Sequence, residues 1–318
     1  MTNAIEAARL IGLDWGTTHA RSYLLAPGTG APQLLDQRAG DGILSVAPDD
    51  PDRDAAFNAI LRTLVADWQQ ASPGLPMIAC GMVGAAQGWR EASYRSLPTP
   101  LAGDGGMTMV DTDFGALPII AGVKKSRPNA DVIRGEETQL AGLVPELAAG
   151  RTTLVVMPGT HTKWAQVRDG VLLDFDTAMS GELFALLADR SMVGRAGAPP
   201  EPGQDWRTGF DWGLDRAGHT DALAFAAFVI RSSVLDAQLP ASQVRDAISG
   251  LLIGSEVADR AAKLDLASMP IVLVGGAELT ERYQRALARH GVSATLAPDD
   301  VTIRGLWRSA VGAGLVGE

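Results

Sequence analysis

One cysteine, Cys80, in 318 residues excludes an internal disulfide and a zinc–thiolate cluster. Histidine is scarce as well: His19, His161, His219 and His290 never fall at i, i+4 spacing, so a histidine pair gripping a metal from one helix is not expected. No stretch approaches the roughly 18–20 uninterrupted apolar residues of a membrane span. The opening MTNAIEAARLIGLDWG lacks a basic region followed by a long apolar run. The expectation is a cytoplasmic protein. Basic residues are outnumbered, 27 against 37 acidic, for a formal net charge of −10. Unspecific attraction to nucleic acid or anionic lipid is therefore not expected, and any bound phosphate has to be held by local dipoles or a metal. No lysine in the chain follows a glycine, which removes the P-loop pattern.

What is present is ample apolar material: 46% of residues are hydrophobic, enough for one large domain or two of moderate size. The stretch IGLDWGTTHARSYLL at 11–25 reads as strand, turn, strand, broken at Gly16, with an acid, Asp14, that an apolar strand has no use for. A second hairpin strand is expected at 33–38. Residues 52–70 carry Ala56, Ile60, Leu64 and Trp68 at i, i+4 spacing and read as a helix packed on a sheet. Short apolar strands are expected at 76–83, running into the Gly-rich GMVGAAQGW, and at 118–123.

The segment VIRGEETQLAGLVPEL reads as a helix after an Arg-Gly break, with Glu136 and Glu137 in its first turn. Acids there complement the helix dipole, so ordinary N-terminal charge is the plainer reading of the pair. Residues 152–178 repeat the strand, Gly-Thr, strand pattern, with the break at Pro158-Gly159-Thr160. Two such units suggest a duplicated architecture of two lobes, each opened by a β-hairpin. Between 194 and 218 the chain is rich in Gly, Pro and charge and reads as a long surface loop. Helices are expected at 221–238 and 242–263, then an apolar strand, the pair Gly275-Gly276 and a helix, and a last helix over TIRGLWRSAVGAGLVG. The letters Gly312-x-Gly314-x-x-Gly317 match a dinucleotide fingerprint, but no strand precedes them and no helix follows; they read as close helix packing.

The hairpins are the remaining candidate for a nucleotide site. Backbone N–H groups of Gly16, Thr17 and Thr18, and of Gly159 and Thr160, can converge on phosphate. Asp14 is placed to hold Mg²⁺ directly or through water. Gly275 and Gly276 let a nucleoside approach the backbone at a helix N-terminus.

The order Asp-x-Gly-Thr-Thr, second Gly-Thr hairpin, Val-Gly-Gly before a helix resembles the sugar kinase, Hsp70 and actin superfamily. Within it, LDWGTTHARSYLL, CGMVGAAQGW, VIRGEETQLAG, MPGTHTKWAQV, MSGELFALL and VLVGGAELTERY resemble the 2-dehydro-3-deoxygalactonokinase family over nearly the whole chain. The resemblance implies an α/β, two-lobed actin-like ATPase (ribonuclease H-like) fold, each lobe a mixed sheet opened by a hairpin and flanked by helices. Lobes at 1–135 and 136–318 are expected, with a hinge near 134–150 and the C-terminal helix. It implies ATP and Mg²⁺ as cofactors and phosphorylation of the terminal 6-hydroxyl of 2-dehydro-3-deoxy-D-galactonate. A homo-oligomer is compatible with the sequence; nucleic acid and membrane are not expected partners. Many superfamily members carry an Asp in the second hairpin where Met157-Pro158 stands here, which throws metal binding onto Asp14.

In hexokinase-like members a carboxylate just before a Thr acts as base, and Glu137-Thr138 is the matching position, with Glu136 beside it and Asp14 and Asp104 next in line. A substrate carboxylate needs a cation: Arg134 first, Lys163 second, although a surface ion pair suits Arg134 and a phosphate contact suits Lys163 equally well. Gly159, Thr160 and Thr162 are expected on the phosphates. Gly81, Met82, Val83 and Gly84 are expected to wall the sugar, with Trp89 stacking on it or else serving as a core aromatic; Tyr94 and Thr99 are weaker candidates. The rival readings are a kinase of another small sugar, an actin-like ATPase driving partner binding, and a catalytically dead sugar sensor.

Overall fold

The computed structural model describes residues 2–103, 106–218 and 222–317; Asp104 and His219 lie outside the described residues. The chain divides into two compact units, Met1–Gly150 with Val167–Asp174 and Pro298–Glu318, and Arg151–Gln166 with Phe175–Ala297.

A short helix, α1 (Thr2–Ala7), leads into the first sheet. Its strands are β1 (Leu10–Trp15), β2 (His19–Ala26), β3 (Gln33–Asp41), β4 (Met77–Cys80), β7 (Thr108–Thr112) and β8 (Gly115–Ile119), in the order β3-β2-β1-β4-β8-β7. β1, β2 and β3 form an antiparallel meander, while β4 and β8 run parallel to β1. The expected hairpin is thus present, with its third strand running beyond the expected 33–38. A small sheet orders β10 (Asp131–Ile133), β9 (Gly122–Lys125) and β5 (Tyr94–Ser96). The bridge β6 (Thr99–Pro100) pairs with Val171 and Leu172.

Both faces of the first sheet are covered. On one face Ile11, Leu13 and Trp15 pack against α2 (Arg53–Ala71). The buried stripe of α2 is Phe57, Leu61, Leu64, Val65 and Trp68, centred one residue along from the expected Ala56 and Ile60. On the other face Leu10, Leu25, Ile78 and Cys80 meet Ile303, Leu306 and Ala310 of α9 (Val301–Gly312). Side chains alternate along a strand, so Asp14 follows Leu10 and Gly12 onto this second face. There α9 crosses α3 (Glu136–Leu143) through two glycines. A Cβ on Gly142 would stand 2.0 Å from the Val301 carbonyl oxygen, and one on Gly305 would stand 1.9 Å from that of Thr138.

Another sheet repeats the strand order. It runs β6, β13 (Val171–Ala178), β12 (Thr162–Arg168), β11 (Thr153–Met157), β14 (Ile271–Leu273) and β15 (Thr295–Leu296), with β14 parallel to β11 and β15 parallel to β14. Both sheets thus contain the order 3-2-1-4-5, and the two strand, Gly-Thr, strand units expected from the sequence are β1-β2 and β11-β12. The helices of the second unit are α4 (Ser180–Arg190), α5 (Trp206–Leu214), α6 (Leu223–Leu235), α7 (Val244–Lys263) and α8 (Ala277–Ala288).

Helix α5 overturns the reading of 194–218 as a surface loop throughout. Asp205 caps it by accepting from the Arg207 N–H, and Phe210 is fully buried. The glycines that made this stretch look like a loop are its packing surface. A Cβ on Gly213 of α5 would lie 2.2 Å from the Ala247 carbonyl oxygen, and one on Gly250 of α7 would lie 1.9 Å from that of Phe210. Gly209, 2.8 Å from the Gln243 carbonyl oxygen by the same measure, extends this seam, and Gly254 makes room for the Leu214 and Ala217 side chains. Gly250→Ala is therefore expected to force the two helices apart and lower Tm by roughly 5 °C or more, whereas Gly317→Ala, which meets nothing, leaves Tm unchanged. Equal thermal melts for the three proteins would refute the seam.

Candidate active site

In the first unit Asp14 ends β1 with Arg21 opposite it on β2 and Cys80 opposite it on β4. The Cys80 thiol donates to Asp14 Oδ1 at 3.9 Å. Burial raises the carboxyl of Asp14 above its ordinary range; Arg21 and the thiol pull it down, and the charge of Glu136 pushes it up again. The turn that follows is tight, with Gly16 N–H donating to the His19 carbonyl at 2.9 Å. The carbonyls of Gly16, Thr17 and Thr18 accept from Ile43, Leu44 and Gly42. The N–H groups of Thr17 and Thr18 then have no backbone acceptor among the described residues, and both side chains are exposed. Donors with no acceptor are what a phosphate oxygen requires.

Beside Asp14 the chain comes close through two glycines in left-handed conformations. Gly81 has φ of 89° and Gly135 has φ of 101°. A Cβ on Gly81 would lie 3.5 Å from Asp14 Oδ1, and one on Gly135 would lie 3.3 Å from Gly81 Cα. This approach sets the first turn of α3 near the end of β1. Glu136 Oε2 accepts from Arg134 N–H at 3.0 Å, and Glu137 Oε2 accepts from Gly135 N–H at 2.7 Å. Glu137 is only 1% exposed. Burial, and then the charge of Glu136, push its carboxyl up to about 7, against the pull of two backbone N–H groups and of Arg95.

Arg95, on β5, was not picked out from the sequence. Its Nη1 donates to the Pro100 carbonyl at 2.7 Å, and its Nε is buried with no partner among the described residues. Burial depresses its pKa while Glu137 holds it up. Arg134 lies over the Tyr94 ring at 4.3 Å and donates through Nη2 to the Ala92 carbonyl at 2.8 Å, leaving Nε and Nη1 buried and unmatched. Among the described residues Arg134 makes no ion pair, so the surface pair considered for it is not found there. Two guanidinium groups with unmet donors mark where a ligand carboxylate would be welcome.

The GMVGAAQGW loop needs correction. Trp89 is 5% exposed, stacks on Phe57 at 5.5 Å and 9°, and donates from Nε1 to Asp54 at 2.8 Å. Val83 is fully buried in the same core cluster, against which Met82 packs. Both ring and valine are committed to the core, so neither side chain faces a sugar. Gly84 has a packing reason as well, since a Cβ there would come within 2.9 Å of Arg134 Nη1. Thr99 is buried in the bridge β6. Gly81, at the start of this loop, borders Asp14.

In the second unit Gly159 and Thr160 line a cavity of about 370 Å³. Ser180 and Gly181 at the start of α4, Leu252 and Ile253 of α7, and Glu278, Arg282 and Tyr283 of α8 close it. Gly181 has to be glycine, because a Cβ would lie 2.2 Å from the Gly159 carbonyl oxygen. Gly275, with φ of 156°, lies against Pro158 of the hairpin, and Gly276 caps α8. The Gly-Gly turn thereby starts the helix that walls the cavity.

Thr162 and Lys163 do not open onto this cavity. Thr162 is 1% exposed and its hydroxyl meets Tyr283 OH at 2.8 Å. Glu256 dictates the direction of that bond. Buried on α7, it accepts from Trp164 Nε1 at 2.5 Å, from Ser180 Oγ, and from Tyr283 OH at 2.9 Å. Tyr283 gives its one proton to Glu256, so Thr162 must give its own to Tyr283. Lys163 is buried, with Nζ turned back onto the His161 carbonyl at 2.9 Å. Glu256 and Tyr283 went unnoticed in the sequence, where nothing connects positions so far apart.

No group of three metal-ligating side chains occurs among the described residues. Magnesium bound with a nucleotide needs only one or two carboxylates, since water and phosphate complete its shell. Asp14, whose carboxyl lies within the field of Glu136, fits that need together with Glu136.

The profile of the family described as 2-keto-3-deoxy-galactonokinase matches residues 14–309. The 2-dehydro-3-deoxygalactonokinase of Escherichia coli (strain K12) is 35% identical over 303 residues, covering 95% of this chain and 97% of that protein. A relative from Rhizobium meliloti (strain 1021), named provisionally for the same enzyme, is 34% identical over 297 residues, covering 92% of this chain and 93% of its own. A crystal structure from Sinorhizobium meliloti, also provisionally assigned to that enzyme, superposes with a TM-score of 0.82 at 31% identity, covering 95% of this chain and 98% of that one. Its fold is this fold. With that profile matching residues 14–309 and these relatives 34–35% identical over nearly the whole length, the chain belongs to the 2-keto-3-deoxy-galactonokinase family of carbohydrate kinases.

Proposed function

We propose that the protein transfers the γ-phosphoryl group of ATP to the 6-hydroxyl of 2-dehydro-3-deoxy-D-galactonate, in the cytoplasm. Family membership supports the substrate class. The observation that carries the chemistry is Glu137, a buried carboxyl with its proton affinity raised to about 7. A group poised there is ionised often enough to accept a proton and basic enough to want one.

In this reading Glu137 takes the proton of the attacking hydroxyl, and Glu136 sustains its basicity. Arg95 and Arg134 offer their unmatched N–H donors to the carboxylate of the sugar acid. That fixes which end of the substrate faces the base. The N–H groups and hydroxyls of Thr17 and Thr18 hold phosphate oxygens, as do Gly159 and Thr160. Asp14, with Glu136, would hold Mg²⁺, whose contribution when bound is to neutralise phosphate charge. The second unit's cavity, with its apolar Leu252 and Ile253 and its polar Ser249 and Arg282, takes the adenosine. Expulsion of water from around the buried Glu137 limits wasteful hydrolysis of ATP.

Release of ADP is expected with 2-dehydro-3-deoxy-galactonate and should be compared with the gluconate-derived epimer. Failure with both acids, alongside turnover of some other sugar, would overturn the substrate assignment. Glu137→Gln should lower kcat by roughly 10²–10⁴-fold. In the wild type kcat/KM should fall about tenfold per pH unit below ~7, and the residual activity of the variant should lack that limb. A variant that keeps the limb would move the base elsewhere.

The same group ties stability to pH. Its folded value of about 7 lies above the ordinary 4.5, so the folded chain binds the extra proton. The contribution is fully present below pH 4.5 and is lost as pH rises through 7, by on the order of a few kcal/mol. Between pH 5 and pH 8 the Tm of the wild type should therefore drop relative to that of Glu137→Gln. Parallel Tm curves would show that the carboxyl titrates normally.

A further inference from the structure

Helix α6 is apolar on both sides. Ala226, Ala227 and Ile230 face the core, while the opposite side carries Phe225, Phe228 and Leu235 at 74%, 60% and 74% exposure and Val229 at 39%. Positions 225, 228, 229, 232 and 235 form one helical stripe, with Ser232, small and exposed, at its centre. An ordinary solvated helix places charge on its outer face; this stripe has none.

We infer that this stripe is the contact between two copies of the chain, paired about a twofold axis that passes near Ser232. At roughly 200 Å² per large apolar side chain the four leave on the order of 500 Å² bare. Met192, whose carbonyl accepts from Arg231 of α6, is also exposed. It brings the face to roughly 600 Å², the low end of what each partner gives to a standard interface.

Charge favours a second copy as the occupant. Copies bearing a formal −10 repel one another wherever acids predominate, so they meet at lowest cost on an uncharged face, and an apolar stripe is its own complement under twofold symmetry. A lipid surface would require basic residues around the face. Helix α6 has one, Arg231, and it is engaged with Met192. A small residue at the centre lets the two helix backbones approach.

Sedimentation equilibrium on the full chain, from about 1 to 100 µM, tests this without reference to the kinase reading. The wild type should show twice the chain mass at the upper end, and Phe225→Glu/Phe228→Glu should show one chain mass, with unchanged kcat. Should the double variant misfold, Ser232→Arg, at an already exposed position, makes the same comparison. A wild type that stays monomeric throughout overturns the inference. So does a dimer that survives these substitutions, since its interface would then lie elsewhere.

Discussion

Three carboxylates crowded at the end of one strand and the start of one helix are the constraint around which the first unit is organised. Burial raises the proton affinity of Asp14 and of Glu137, and the charge of Glu136 adds to it at both, so the arrangement costs free energy unless something relieves it. Backbone N–H groups at the first turn of α3, a cross-strand Arg21 and a nearby Arg95 give partial relief. The remaining excess of negative charge is a standing attraction for a cation. Left-handed Gly81 and Gly135 make the crowding sterically attainable, because a side chain at either would be strained. The close crossing of α3 and α9 through Gly142 and Gly305 then anchors the helix that carries two of the three acids.

The sheet of the second hairpin repeats the strand order, but charge is handled there in the opposite way. Where the first hairpin carries Asp14, the second has Met157 and Pro158, and its acid, Glu256, is buried behind the hairpin with three hydrogen-bond donors gathered on it. That acid fastens β12, α4, α7 and α8 together rather than addressing a ligand. The strand order is shared, yet the carboxylate stands at the mouth of the turn in one unit and beneath it in the other.

The hairpins, the strand before Gly275 and the long helices were legible because they rest on local patterns: Gly breaks in apolar runs, and apolar residues at helical spacing. Asp14 was legible because an acid inside an apolar strand violates its own pattern. Helix α5 was not, since its glycines serve tight helix packing while their composition imitates a loop. Val83 misled for a related reason: a Gly-rich loop suggests ligand approach, yet here it turns Val83 into the core, where Trp89 fills the core-aromatic role held open beside its sugar-stacking one. Arg95 sits on a three-residue strand too short to show any period. Glu256 and Tyr283 act through partners scattered from Trp164 to Ser180, a relation that exists only once the chain has folded.

Cys80 shows what the crowded acids do to a neighbour. Fully enclosed, and facing the charges of Asp14 and Glu137, its sulfur is held well above the ordinary thiol pKa. The nucleophilic thiolate is thereby suppressed. The native fold therefore presents alkylating reagents and peroxide with an enclosed thiol in place of a thiolate.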